Sequence, residues 1–271
     1  FGSELKALAA HPDFRPEIDR DALTLLLRHG VIPAPYSIYR GISKLQPGSF
    51  IQLPLGEPGK AKSAVSRQYW SLNGVVEQGA ANPFRGDEGE ALDGLETILG
   101  QSVAGQMLSD VPLGAFLSGG IDSSAIVALM QAHSRQPVKT FTIGFDQEGF
   151  NEAEHAKSVA RHLGTEHTEF YVSPEEALAV IPRLPSIYCE PFADSSQIPT
   201  FLVSQMARQH VTVALSGDGG DELFGGYNRY LAAHRWQRLQ QIPLPLRETI
   251  ARLLLSSPPA SWDRRYGAVE R

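Results

Sequence analysis

From about residue 89 onward, short apolar runs alternate with stretches of helical period, and this alternation most narrows what the chain can fold into. Residues 91–108 read as an amphipathic helix and residues 113–117 as a buried strand. Residues 121–132 read as a helix carrying Ile126, Val127, Leu129 and Met130. Residues 138–145 alternate through Phe141, Ile143 and Phe145, the period of a strand. Residues 151–163 put Ala153, Ala156, Val159, Ala160 and Leu163 on one helix face, with Asn151 and Glu154 spaced as a capping box. A strand over 168–172, a helix over 196–209 with Pro199 in its first turn, a strand over 211–215 and a helix over 227–240 complete the series. Strand–helix alternation of this kind predicts a parallel sheet with helices on both faces. Ligands of such sheets bind beyond the carboxyl ends of the strands.

The first 70 residues have another texture, mixed α and β. Residues 19–28 hold Leu23, Leu25, Leu26 and Leu27 ahead of His29 and Gly30, a helix with a glycine stop. Phe50, Ile51 and Leu53 suggest a short strand, as do Tyr69 and Trp70. Residues 71–88 contain Gly, Asn and Pro without a period and read as a linker. The chain starts at Phe1 and stops at Arg271 without a closing signal, which reads as a fragment cut at both ends.

Composition removes several function classes. With 42% apolar and 20% charged residues the chain is neither a disordered tail nor a coiled coil. Its formal charge of -6 argues against nucleic acid as a partner, since such binding needs a basic footprint. A single cysteine, Cys189, excludes an internal disulfide and a CxxC zinc site, and points to a reducing, cytoplasmic setting. No apolar run approaches the ~18 residues of a membrane span, so no membrane partner is expected.

Two loops carry the chemistry. Directly after the apolar run 113–117 come Ser118, Gly119, Gly120, Ile121, Asp122, Ser123 and Ser124, opening a helix. Adjacent glycines let backbone approach an anion closely. A helix start supplies free N–H donors and the positive dipole end. Asp122 would repel a bare phosphate, but it makes sense if a divalent cation lies between the two. The string therefore reads as a pyrophosphate cradle assisted by a metal. The ordinary alternative is a Gly-Gly turn with a serine cap; the place of the whole string after a buried run sets it apart. The second loop, residues 216–227, follows the run 211–215. It holds five glycines and the acids Asp218, Asp221 and Glu222. With Asp122 these carboxylates form a plausible magnesium site facing a triphosphate; the ordinary alternative is a solvated acidic turn.

Residues 118–124 look like the SGGxDSS pyrophosphate loop of the ATP-pyrophosphatase (PP-loop) ligases. Residues 216–227 resemble the SGxGxDExFGGY segment of asparagine synthetases. Residues 36–48 (YSIYRGISKLQPG), with residues 1–8, are similar to the end of that family's glutaminase domain. The chain thus resembles the glutamine-hydrolysing asparagine synthetases over nearly its whole length. The resemblance implies an adenine nucleotide alpha hydrolase-like α/β domain at residues 89–271. Before it would come a linker at 76–88 and, at 1–75, the α+β tail of an Ntn-type class II glutamine amidotransferase domain.

It also implies ATP and Mg2+ as cofactors, and amidation of L-aspartate through a β-aspartyl-AMP intermediate with ammonia from glutamine. A homodimer is compatible with such a chain. Leu117 and Ile143 fall where family backbone groups meet adenine. Ser118, Gly119, Gly120, Ser123 and Ser124 would hold the pyrophosphate, and Ser216 and Gly217 would flank the nucleotide. Asp122 and Asp221 match the magnesium-binding acids, and Asp218 the acid implicated in forming the adenylate. Residues 190–197 fall where the family shapes its amino-acid pocket, which makes Asp194 and Ser195 candidates for substrate contacts.

Asp218 stands where a glutamate is common, one methylene shorter. The family's N-terminal cysteine nucleophile is absent, and its phosphate-contacting lysine would lie past Arg271. These departures keep two further readings open: a relative amidating another carboxylic acid, and an ATP-binding module without turnover. Elsewhere the bland readings hold. Cys189 has no charged partner nearby in sequence and reads as a neutral thiol. His155, His162 and His167 lack a zinc spacing. Residues 3–6 read as a helix start. Tyr227, Tyr230 and Trp236 read as core or interface.

Overall fold

A computed structural model describes residues 1–53, 65–145 and 152–256. The chain divides into two compact units, residues 1–216 and a second beginning at Gly217. In chain order the first unit contains α1 (Leu5–Ala9), α2 (Arg20–His29), β1 (Ser49–Ile51), β2 (Ser66–Gln68), α3 (Leu72–Ala81), α4 (Glu88–Gln106), β3 (Leu113–Phe116), α5 (Ile121–His133), β4 (Lys139–Phe145), α6 (Ala153–Leu163), β5 (Glu166–Val172), α7 (Pro174–Val180), α8 (Leu184–Ile187), α9 (Gln197–Ala207) and β6 (Val213–Leu215). The second holds α10 (Gly220–Phe224), α11 (Asn228–Gln240) and α12 (Leu244–Leu255).

The N-terminal stretch follows its punctuation. Asp19 accepts the amides of Asp21 and Ala22, a cap worth about 1 kcal/mol, and Gly30 ends α2 at φ 72°. Ala22, Ile32 and Ile38 form a small core with Leu23, Leu26 and Tyr39 around them. The helix start expected at residues 3–6 is α1. β1 pairs antiparallel with β2, but Tyr69 and Trp70 lie past the strand. Both their amides converge on the Gly48 carbonyl, which closes the pair instead of extending it.

The stretch 71–88, expected to be irregular, contains α3. The Ser71 hydroxyl accepts the Gly74 amide at 3.0 Å, and no residue of the helix is buried. A helix that buries no face leaves no period to read. α4 begins at a capping box of Asp87 and Glu90, yet only its Gly100 and Val103 are buried; Leu92 and Ile98 are exposed. The expected apolar face is therefore only partly covered among the described residues.

The main sheet has the order β5-β4-β3-β6, and every pairing is parallel. Both faces are covered. On one, Ala115 and Leu117 pack with Val127, Met130, Ala156 and Ala160 from α5 and α6. On the other, Phe141 meets Met206 and Ala207 of α9 with Phe116 beside them, while Val172, Val180 and Leu202 form a neighbouring cluster. The expected doubly covered α/β sheet is thus present, and alternate residues of β3 and β4 face opposite layers. Thr140 and Thr142 also lie inside; Thr140 Oγ1 is 3.0 Å from Thr165 Oγ1 and 2.9 Å from His167 Nδ1. α6 begins at Ala153 with Glu152 as its cap residue; Asn151 of the expected capping box lies outside the described residues. α7 was not among the expected elements, although Ser173, Pro174 and Glu176 supply a complete capping box.

Two measurements check this core. Met130→Ala should cost about 2–5 kcal/mol in urea unfolding, while Leu92→Ala should stay near ~0.5 kcal/mol. Burial pushes the His167 imidazole below its ordinary value near 6.5, against the smaller opposing pull of Glu169. The unfolded chain then binds more protons than the folded one below about pH 6.5. Stability is full above that pH and falls on acidification until the folded pKa is passed; His167→Gln should remove this component.

Candidate active site

β3 is held on both sides, so the residues leaving it are placed firmly. Leu117 is buried and its amide bonds the Phe141 carbonyl at 2.9 Å, which continues the ladder one residue past the strand. The chain then turns through Ser118, Gly119 and Gly120 into α5. Gly119 has φ 80°, and a Cβ there would lie 2.6 Å from the Ala156 amide nitrogen and 2.8 Å from the His155 carbonyl carbon. The start of α6 therefore backs directly onto the loop, and only glycine fits.

The serines order the loop from within. Ser118 Oγ and Ser123 Oγ are 2.9 Å apart, the Ser118 amide donates to Ser123 Oγ at 3.2 Å, and the Gly120 amide donates to Ser118 Oγ at 3.3 Å. Ser123 is buried, so its hydroxyl braces the turn as well as being a candidate donor. No side chain caps the N-terminus of α5. Asp122 lies half-buried in the first turn, where a carboxylate also suits the helix dipole. Ser124 follows it. Ile143 sits on the neighbouring β4, half-buried against the cluster of Val172, Val180 and Leu202.

β6 lies parallel beside β3, with Leu215 opposite Ala115. Ser216 thus leaves the sheet at the same edge as Ser118. In the second unit, Gly217 and Asp218 lead to Gly219, at φ 93°, and the single turn α10. Asp221 and Glu222 fall in that turn. The Gly226 amide donates to the Asp221 carbonyl at 3.0 Å, and a Cβ on Gly226 would collide with the Asp221 carboxylate. Glu222 accepts from the Tyr227 hydroxyl at 2.7 Å; this bond holds the carboxyl below its ordinary range and pushes the phenol up. The Arg229 guanidinium stacks 4.0 Å from the centre of the Tyr227 ring. Tyr230 and Trp236, expected in a core or interface, are exposed.

The remaining candidates are placed as follows. Asp194 and Ser195 are exposed on the turn before α9. Asp194 Oδ1 accepts the Ser196 hydroxyl at 2.6 Å and amide at 2.9 Å, and these bonds keep its carboxyl below the ordinary range. Cys189 has a charged partner after all, the Glu4 carboxylate at 3.5 Å, from the far end of the sequence. Among the described residues no group of three or more His, Cys, Asp or Glu could hold a metal by itself. Glu190, which opens the stretch 190–197, has its carboxylate taken up by residues 37–44, contacts that the sequence did not signal.

Comparison with known proteins identifies the family of the chain. The Asparagine synthase family model matches residues 94–269, and a Glutamine amidotransferase domain model matches residues 1–70. The chain is 36% identical over 260 residues to asparagine synthetase [glutamine-hydrolyzing] 1 of Bacillus subtilis, covering 95% of this chain and 39% of that protein. It is 36% identical over 250 residues to a putative asparagine synthetase [glutamine-hydrolyzing] 2 of Methanocaldococcus jannaschii, covering 91% of this chain and 46% of that protein. A solved NH3-dependent NAD synthetase from Campylobacter jejuni aligns at 15% identity with a TM-score of 0.37, over 50% of this chain and 60% of that one. The doubly covered parallel sheet with glycine-rich loops at its strand ends defines an α/β protein. The chain belongs to the asparagine synthase family, and it spans less than half the length of the curated relatives it matches.

The loop geometry can be checked directly. Gly119→Ala should destabilise by about 1–3 kcal/mol, because φ 80° and the α6 backbone both oppose a side chain. Gly120→Ala, at φ -70° with only Ser118 Oγ at 3.3 Å, should fold with a melting temperature close to that of the unaltered protein.

Proposed function

We propose that this chain carries the synthetase part of a glutamine-dependent asparagine synthase. It would convert L-aspartate, ATP and ammonia to L-asparagine, AMP and pyrophosphate through β-aspartyl-AMP. Residues 1–75 are the end of the amidotransferase domain, 76–88 the linker and 89–271 the synthetase domain. The family matches at 1–70 and 94–269 support this division. The observation that carries the reading is the turn from β3 to α5. A glycine backed by α6, an N-terminus without a side-chain cap and a first-turn carboxylate together suit a metal-bound pyrophosphate.

The residue roles follow from that turn. The amides after Gly119 and the hydroxyls of Ser118 and Ser124 bind the β- and γ-phosphates, while Ser123 keeps the turn in shape. Leu117 and Ile143 offer backbone groups to the adenine, and Ser216 and Gly217 flank the nucleotide. Asp122 and Asp221 are the carboxylates assigned to magnesium. Such an ion needs only one or two carboxylates besides phosphate oxygens and water, so a single first-turn carboxylate such as Asp122 would already suit it. When bound, magnesium offsets the charge that develops on the departing pyrophosphate. Asp218 lies on the same loop as Asp221 and orients the reacting groups. Asp194 and Ser195 contact the amino acid. The aspartate side-chain carboxylate attacks the α-phosphorus and pyrophosphate leaves; ammonia then displaces AMP from the acyl carbon.

Amino-acid-dependent exchange of labelled pyrophosphate into ATP tests this in the full-length protein. Aspartate should support exchange, and Asp122→Ala and Asp221→Ala should each lower it by about 100-fold or more. No exchange with any carboxylic acid would end the proposal. The shorter acid Asp218 favours one second reading, a different acceptor. In that case exchange appears with another acid, and mass spectrometry identifies its amide.

A further inference from the structure

Resting on that function, we propose that Glu190 is the clasp between the two family-matched parts of the chain, and that it keeps the synthetase aligned to receive nitrogen released from glutamine. Glu190 lies in the part matched to asparagine synthase, and its side chain is only 14% exposed. Among the described residues, its partners come from the part matched to the amidotransferase. Oε1 accepts the Ile38 amide at 2.7 Å and the Ser37 hydroxyl at 3.1 Å. Oε2 pairs with Lys44, whose Nζ also donates to the Ile32 carbonyl at 2.7 Å. Ser37 is itself buried.

The clasp has flanking stitches. Lys6 Nζ donates to the Ile187 carbonyl at 2.9 Å, and the Ala193 amide donates to the Gly30 carbonyl at 2.7 Å. Directly afterwards the chain turns at Asp194 into α9, whose Leu202 and Met206 are fixed in the sheet core. Six residues separate Glu190 from the start of α9, and the candidate substrate residues Asp194 and Ser195 lie between the two anchors. Removing the carboxylate leaves a lysine and a backbone amide without their half-buried partner, a costly loss. Ammonia supplied from solution needs no fixed alignment of the two parts; ammonia passed from glutamine does. Glu190 is a positioning residue and not a catalytic one.

The test uses the full-length protein and reads asparagine formed per glutamate released, beside the rate driven by ammonium salts. The unaltered protein should give a ratio near unity. Glu190→Ala should lower the ratio about tenfold, with ammonium-driven kcat kept within about twofold. Glu190→Gln, which keeps acceptors for Ile38 and Ser37 but loses the charge facing Lys44, should fall between them. Lys44→Met should lower the ratio as well, and it carries the test with Glu190→Gln if the alanine variant does not fold. An unchanged ratio in all variants overturns the clasp. So do glutamine- and ammonium-driven rates that fall in parallel, the mark of a merely structural role. Asparagine from neither source in the unaltered protein overturns the proposed function, and this inference with it.

Discussion

The parallel pairing of β3 with β4 on one side and β6 on the other is the constraint on which the rest depends. It works only because β3 is narrow. A Cβ on Gly114 would lie 2.7 Å from the Lys139 carbonyl and 2.8 Å from the Phe141 ring. Ala115, next along, is completely buried. With the strand pinned between its neighbours, the residues past its carboxyl end cannot drift. Ser118 and Ser216 then emerge from adjacent strands at one edge of the sheet. Ligands of parallel α/β sheets bind beyond the carboxyl ends of the strands, which is where both residues lie.

The two loops solve their local problems differently. The first is rigid by contact, with Gly119 pressed on the start of α6 and the serine hydroxyls bonded across the turn. The second holds five glycines in twelve residues, two of them in conformations closed to other side chains, with Gly219 at φ 93° and Gly225 at φ 71° framing one helical turn. Its acids are not equivalent. Glu222 is engaged by Tyr227, and Asp221 presses on Gly226.

Much of this was legible in the sequence where local signals and burial agree. The strand over 138–145 was readable because Phe141, Ile143 and Phe145 face one layer, and α2 because Asp19 and Gly30 mark its ends. α3 was not readable, since a helix with no buried residue leaves no period. α7 was overlooked although its capping box was in plain sight. Within the site, the motif residues could be named from the sequence because glycines and acids after a buried run have few other uses. The bonds of Glu190 and the Glu4 contact of Cys189 were invisible. They join residues more than 140 positions apart, and no periodicity encodes such pairs.

The central claim is that these loops present ATP for attack at the α-phosphorus by a carboxylate. The most direct measurement supplies aspartate labelled with 18O in its side-chain carboxylate and follows the label into products. The account predicts one labelled oxygen in AMP and none in pyrophosphate. ADP as the product, with label in inorganic phosphate, would contradict it.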